Sequence, residues 1–150
     1  MKKVLVVGLI AVLAVSFAFS QTALGLRGGN FSGISLRTLN NSGNGMEFLL
    51  TANKNGFELA GLFEKHKGIS DVEDLSWFWG LGLHGGLSAT STTSVTVSAG
   101  VDAILGIEYS FLSLLGVPLS LSIDYKPAFD IIGGWGTDWF GLAGTIRYTF

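Results

Sequence analysis

The sequence predicts an all-β fold, an eight-stranded antiparallel transmembrane β-barrel preceded by a signal peptide. Three observations carry that expectation. The last twelve residues, Trp139 to Phe150, alternate strictly: Phe140, Leu142, Ile146, Tyr148 and Phe150 share one face, and Ala143, Thr145, Arg147 and Thr149 share the other. Similar alternating segments, divided by Gly, Asn and Ser clusters, recur through the chain. Finally, 22 Gly and 18 aromatic residues against 2 Pro and 13% charged residues suit a β protein better than a helical one.

The first twenty residues read as a targeting segment. Lys2 and Lys3 are a basic start, Val4 to Phe19 is apolar throughout, and Ala18-Phe19-Ser20 offers a small-x-small cleavage site before Gln21. Residues 1–20 are therefore expected to be removed on export, leaving 21–150 as one barrel domain with 7 basic and 11 acidic residues. That balance gives no reason to expect a nucleic-acid partner. Without cysteine the chain has no disulfide framework, thiolate metal site or lipoprotein acylation site.

The strands follow in order. Ala23 to Gly29 sets Leu24 and Leu26 against Arg27, and Gly28-Gly29-Asn30 turns the chain. Gly33 to Leu39 opposes Ile34 and Leu36 to Ser35 and Arg37, before the turn cluster Asn40 to Asn44. Gly45 to Ala52 opposes Met46, Phe48 and Leu50 to Glu47, Leu49 and Thr51, and Asn53 to Gly56 closes a hairpin. In Phe57 to His66, Phe57, Leu59 and Phe63 face away from Glu58, Ala60, Glu64 and His66. A polar link, Lys67 to Leu75, leads to Ser76 to Leu87, with Trp77, Trp79, Leu81, Leu83 and Leu87 opposite Gly80, Gly82, His84 and Gly86. Ser88 to Ser94 reads as a Ser/Thr loop. The sixth strand lies within Val95 to Phe111, with Val101, Leu105, Ile107, Tyr109 and Phe111 opposed to Asp102, Glu108 and Ser110. Leu112 to Val117 turns, and Pro118 opens the seventh at a strand edge, where its missing N–H costs least. There Leu119, Leu121, Ile123, Tyr125 and Phe129 oppose Ser120, Ser122, Asp124 and Lys126, and a Gly-rich loop, Asp130 to Asp138, leads into the last strand.

Strands of about 9 to 11 tilted residues cross a bilayer, and even counts from about 8 upward are the rule for bacterial single-chain barrels. A closed wall is required because an open sheet edge cannot be satisfied in hydrocarbon. A soluble, lipocalin-like barrel would instead turn its apolar face inward. Aromatics on the apolar face near strand ends favour the membrane arrangement: Trp77, Trp79, Tyr109, Phe111, Tyr125, Phe129, Tyr148 and Phe150 are the expected girdle. With both termini on the periplasmic side, the outer loops are short. A receptor built on long loops would look different.

The terminal Tyr148-Thr149-Phe150 resembles the C-terminal signature of bacterial outer-membrane proteins. That resemblance implies recognition of Tyr148 and Phe150 by the barrel assembly machinery. The mature chain as a whole looks like the small eight-stranded outer-membrane barrels of the OmpA transmembrane domain and OmpX kind. Phe57 to His66 and Tyr125 to Asp130 are similar to segments of mostly uncharacterised barrels of this size. The resemblance brings no catalytic motif, and the short outer loops and lack of a periplasmic domain depart from the OmpA plan.

Chemical motifs are sparse. His66, His84, Ser120 and Ser122 share the polar face, the residue types that lipid A hydrolases or acyltransferases use, but a nucleophile must reach a base near the outer leaflet. His66 is expected at the periplasmic end and His84 in the lumen, so no catalytic residue is assigned. Two His without further ligand spacing make no metal site, and Gly133-Gly134-Trp135-Gly136 lacks the helix and Lys of a phosphate loop, so no cofactor is expected. The expected site is a lumen network of Arg27, Arg37, Glu47, Glu58, Glu64, His84, Asp102, Glu108, Asp124, Lys126 and Arg147. Folding about the turn centres sets Arg37 opposite Glu47, Glu58 opposite His84, Asp102 opposite Lys126, and Asp124 diagonal to Arg147. Carboxylates outnumber cations there, so either a protonated His84 facing Glu58 or a carboxyl that keeps its proton is expected. An eight-stranded barrel is filled by side chains, so a packed polar core and no open pore are expected. The sequence then reads as a non-enzymatic outer-membrane barrel, structural or interacting with envelope components, surrounded by outer-membrane lipids. The alternatives are a binding or adhesion barrel using the loop around Trp135, and an outer-membrane lipid-modifying enzyme.

Overall fold

The computed structural model describes residues 21–53, 56–91, 94–133, 136–139 and 141–150. The targeting segment, Trp135 and Phe140 lie outside the described residues. The chain is an all-β, closed, antiparallel barrel with eight staves in its wall. These are β1 (Gln21–Gly29), β2 (Ser32–Leu39), β3 (Asn44–Asn53), β4 (Gly56–Gly68), β5 (Leu75–Ser91), β6 (Ser94–Ser110), β7 (Leu119–Tyr125) and β10 (Leu142–Thr149), with β5 closing on β6 and β1 on β10.

Two short strands, β8 (Ala128–Ile132) and β9 (Gly136–Asp138), extend the seventh and eighth staves. Pro127 has no N–H to give, so the ladder breaks there, yet Lys126 N still donates to Gly141 O at 2.8 Å and Ala103 N to Pro127 O at 3.1 Å. Beyond the break β8 pairs with β6 and β9 with β8. The segment Asp130 to Asp138, expected as a loop, is therefore largely a hairpin; its Gly-rich composition hid the strands.

A second correction concerns Ser88 to Ser94. Where a loop was expected from Ser88, β5 runs on to Ser91 and β6 begins at Ser94, so that each reaches 17 residues, with residues 92 and 93 outside the described residues. Ser and Thr need no packing partner when the ladder itself supplies the pairing. Leu112 to Val117 holds a single helical turn, α1 (Leu112–Leu115), closed by Gly116 at φ 65.

The faces follow the alternation. Leu26, Leu81, Leu105, Leu121 and Ile146 point outward and are exposed, while Arg27, Gly80, Ile104, Ser122 and Arg147 point inward and are buried. Room inside comes from glycine: a Cβ on Gly25 would stand 2.6 Å from Arg147 Cγ, and one on Gly100 would stand 2.7 Å from His84 Cε1. The interior is not polar throughout, as had been expected. Leu49, Ala60, Leu62, Phe78 and Ile104 form a buried apolar cluster against one side of the lumen.

Candidate functional site

The charged residues of the interior divide into two groups along the barrel axis. The group toward the termini centres on Arg147 of β10, which is wholly buried. Its guanidinium donates to Glu47 of β3, to Glu108 of β6 at 3.2 Å, to Ser122 at 2.5 Å and to Ser35 at 3.1 Å. Arg37 makes a forked pair with Glu108, both contacts 2.7 Å. Glu64 meets His66 at 3.0 Å, and the His66 ring stacks on Phe78 with centroids 4.8 Å apart. Here two guanidiniums face three carboxylates, and the buried Glu47 and Glu64 carboxyl groups hydrogen-bond to each other.

The second group lies toward the opposite mouth. Arg27 grips Asp124 with contacts of 2.5 and 2.8 Å and reaches Thr145 at 3.3 Å. Lys126 Nζ donates to Glu58 Oε1 at 3.0 Å and Asp102 Oδ1 at 3.2 Å. His84 is held between two carboxylates, Nδ1 at 2.9 Å from Asp102 and Nε2 at 2.8 Å from Asp130. Both ring nitrogens face carboxylate oxygens, an arrangement that an imidazolium satisfies by donating to each.

Of the four expected registers, that of Arg37 and Glu47 holds and the other three are corrected. Arg37 does stand opposite Glu47 in the ladder, but its guanidinium crosses the lumen to Glu108 instead. Glu58 stands opposite Gly86 while His84 stands opposite Ala60, and Glu58 turns to Lys126. Asp124 stands opposite Ala143 and pairs with Arg27, while Arg147 stands opposite Ser120. Asp102 stands opposite Ala128 rather than Lys126, yet Lys126, two residues along, still reaches it. Two of these shifts trace to separate turn centres, the Lys67 to Leu75 link turning about Val72 rather than Asp71 and the β6–β7 connection about Leu115 rather than Leu114, and moving a turn centre by one residue moves every partner by two.

The expectation missed Asp130, hidden in the supposed loop, and the inward Phe78, Leu62 and Ile104, which the alternation itself would have placed. Ser120 and Ser122 lie among the Arg147 group, with Ser122 held by Arg147 and Ser120 Oγ buried without a partner among the described residues. The girdle residues all lie on the outer face. Trp77, Tyr109, Phe111, Tyr148 and Phe150 gather at the end holding the termini, where Tyr109 and Phe111 meet edge to face at 5.2 Å. Trp79 and Tyr125 are instead both in register with Leu105, away from that end of the wall. Phe150 N donates to Thr22 O at 2.9 Å, which ties the last residue to the first strand.

Above the second group lies a cleft of about 180 Å³, lined by Arg27, Glu58, His84, Lys126, Asp130 and Asp138 and rimmed by Phe31, Phe57, Leu87 and Leu142. No family model matches the chain, and no curated protein matches it.

Proposed function

We propose that the chain is a small outer-membrane β-barrel protein, exported by residues 1–20 and similar in plan to OmpX, whose role is structural or lies in interaction with envelope components. One observation carries this reading. Arg147, Glu47 and Glu64 are buried completely, while large apolar side chains such as Leu26, at 73% exposure, cover the outside. Water would disfavour a surface of that kind over the whole wall, whereas hydrocarbon matches it. The lipid of the outer membrane is thus the principal partner, and Tyr148 and Phe150 are the residues offered to the barrel assembly machinery.

The interior supports a plug rather than a pore. Arg147 binds residues from β2, β3, β6 and β7 at once, which ties together opposite walls of the lumen. A non-enzymatic role is supported by His84, whose two nitrogens are both held by carboxylates and neither by a hydroxyl.

The reading is tested by fractionating cells that express the full chain, and by comparing boiled with unboiled protein on gels. Outer-membrane recovery, loss of residues 1–20 and faster migration of the unboiled form are expected. Recovery in a soluble fraction, or a helix-dominated circular dichroism spectrum, would overturn it.

A further inference from the structure

We propose that the outer face of β4 and β5, at the end holding the termini, binds the headgroup of an anionic phospholipid through Lys65, Lys67, Trp77 and Trp79. The inference rests on the membrane reading of the wall and names one lipid class within it.

The distribution of cations comes first. Arg27, Arg37, Lys126 and Arg147 are buried and tied to carboxylates of the interior. Lys65 and Lys67 of β4 are exposed, and neither is in an ion pair among the described residues; Asp71, Glu73 and Asp74 on the neighbouring link pair with neither. Among the described residues of the eight staves, these two are the charged side chains on the outer face, and every other charge points inward. The wall beside them is apolar, with Phe63 and Leu81 exposed on it. An ammonium on such a wall is costly unless its stem carries it to a polar boundary and a counter-charge meets it there.

The ladder supplies a second, independent observation. Lys65 stands opposite Trp79, and Lys67 opposite Trp77. Directly opposed side chains have Cβ atoms about 4.5 to 5.5 Å apart, and residues two apart on one strand face are separated by about 6.6 Å. Two lysines and two tryptophans therefore make one compact patch. Both indoles are partly exposed, at 37% and 45%. Trp sits at the boundary between hydrocarbon and headgroups, where its ring stays apolar and its N–H can donate to a headgroup oxygen.

The chemistry selects the occupant. Two ammonium groups at this spacing can flank one phosphate, and their flexible stems let both heads rise to the same level. A zwitterionic headgroup brings its own ammonium and cancels much of that attraction, whereas a headgroup of net negative charge keeps it. A free anion would meet the lysines but gain nothing from the indoles.

The test reads the patch directly. Trp135→Phe with Trp139→Phe leaves Trp77 and Trp79 as the fluorophores of the chain. This barrel is reconstituted into bilayers of phosphatidylcholine and phosphatidylglycerol, with one lipid or the other brominated on its acyl chains so that it quenches nearby indoles. Quenching should show phosphatidylglycerol favoured by at least about fivefold, the effect of one basic residue at a lipid surface. Lys65→Gln and Lys67→Gln should each weaken the preference, and the two together should abolish it. Excess inorganic phosphate at matched ionic strength should leave it intact. Retained heat-modifiable migration shows that each variant has folded. Equal quenching by the two lipids, a preference that survives in the double variant, or its loss to inorganic phosphate would overturn the site and leave the membrane reading standing. No quenching by either lipid in a folded barrel would overturn both.

Discussion

Arg147 and Lys126 are both buried cations that bridge two carboxylates, yet the regions around them differ. Arg147 reaches Glu47 and Glu108 with a planar fork, adds Ser35 and Ser122, and has no route to water. Lys126 reaches Glu58 and Asp102 with a single point charge and lies against an open cleft. Guanidinium suits the sealed end because its five donors can satisfy several walls at once, whereas an ammonium has only three. The terminal end of the lumen therefore works as a tie between staves, and the mouth end as a charged basin. The difference also teaches that residue type alone does not separate plug from site; access to water does.

The sharpest way to break the comparison is to remove each cation. Arg147→Met leaves Glu47 and Glu108 buried with much of their positive charge gone. A loss of about 3 to 5 kcal/mol is expected, read as a fall in the urea midpoint of the barrel in liposomes. Should Arg147→Met unfold no more readily than the parent, the sealed end is not a tie.

A smaller loss is expected on the outer face. Leu121, between Ile146 and Tyr109 in the ladder, should cost about 2 to 4 kcal/mol as Arg, if it lies near the bilayer midplane. Tyr148→Arg, at the end holding the termini, should cost less than about 1 kcal/mol. Equal losses in the same urea titration would show that the assigned depths are wrong.

Lys126→Met belongs last. Glu58 stands at the open cleft and can regain water, so only about 1 to 2 kcal/mol should be lost in that titration. A loss as large as that of Arg147→Met would mean that the mouth is as dry as the sealed end, and the contrast between the two regions would disappear.

Much of the wall was legible in the sequence because alternation has a period of two and leaves little choice of face. Arg27, Glu47, Asp102 and Arg147 all lie inside because their neighbours Leu26, Phe48, Val101 and Ile146 must lie outside. Partners across the lumen were not legible. Folding a chain about its turns gives neighbours within the sheet, but closing the sheet brings distant staves face to face, so that Arg37 finds Glu108 rather than the Glu47 beside it. The cleft was hidden for another reason. It depends on Asp130 and Asp138, which sit in a glycine-rich stretch whose composition reads as loop although its backbone pairs.

Closure of β1 on β10 sets an order of events in time. Arg27 and Thr145 are ladder partners, yet 118 residues separate them along the chain. Contacts so remote form late, since the entropy of closing the loop comes before any reward. Until β10 arrives, β1 and β7 both present bare edges, open to pairing with another chain. Arg147 travels on that last strand. Glu47 therefore waits for its guanidinium while Glu108 already has Arg37, and the latch of the interior closes in the same step that seals the wall.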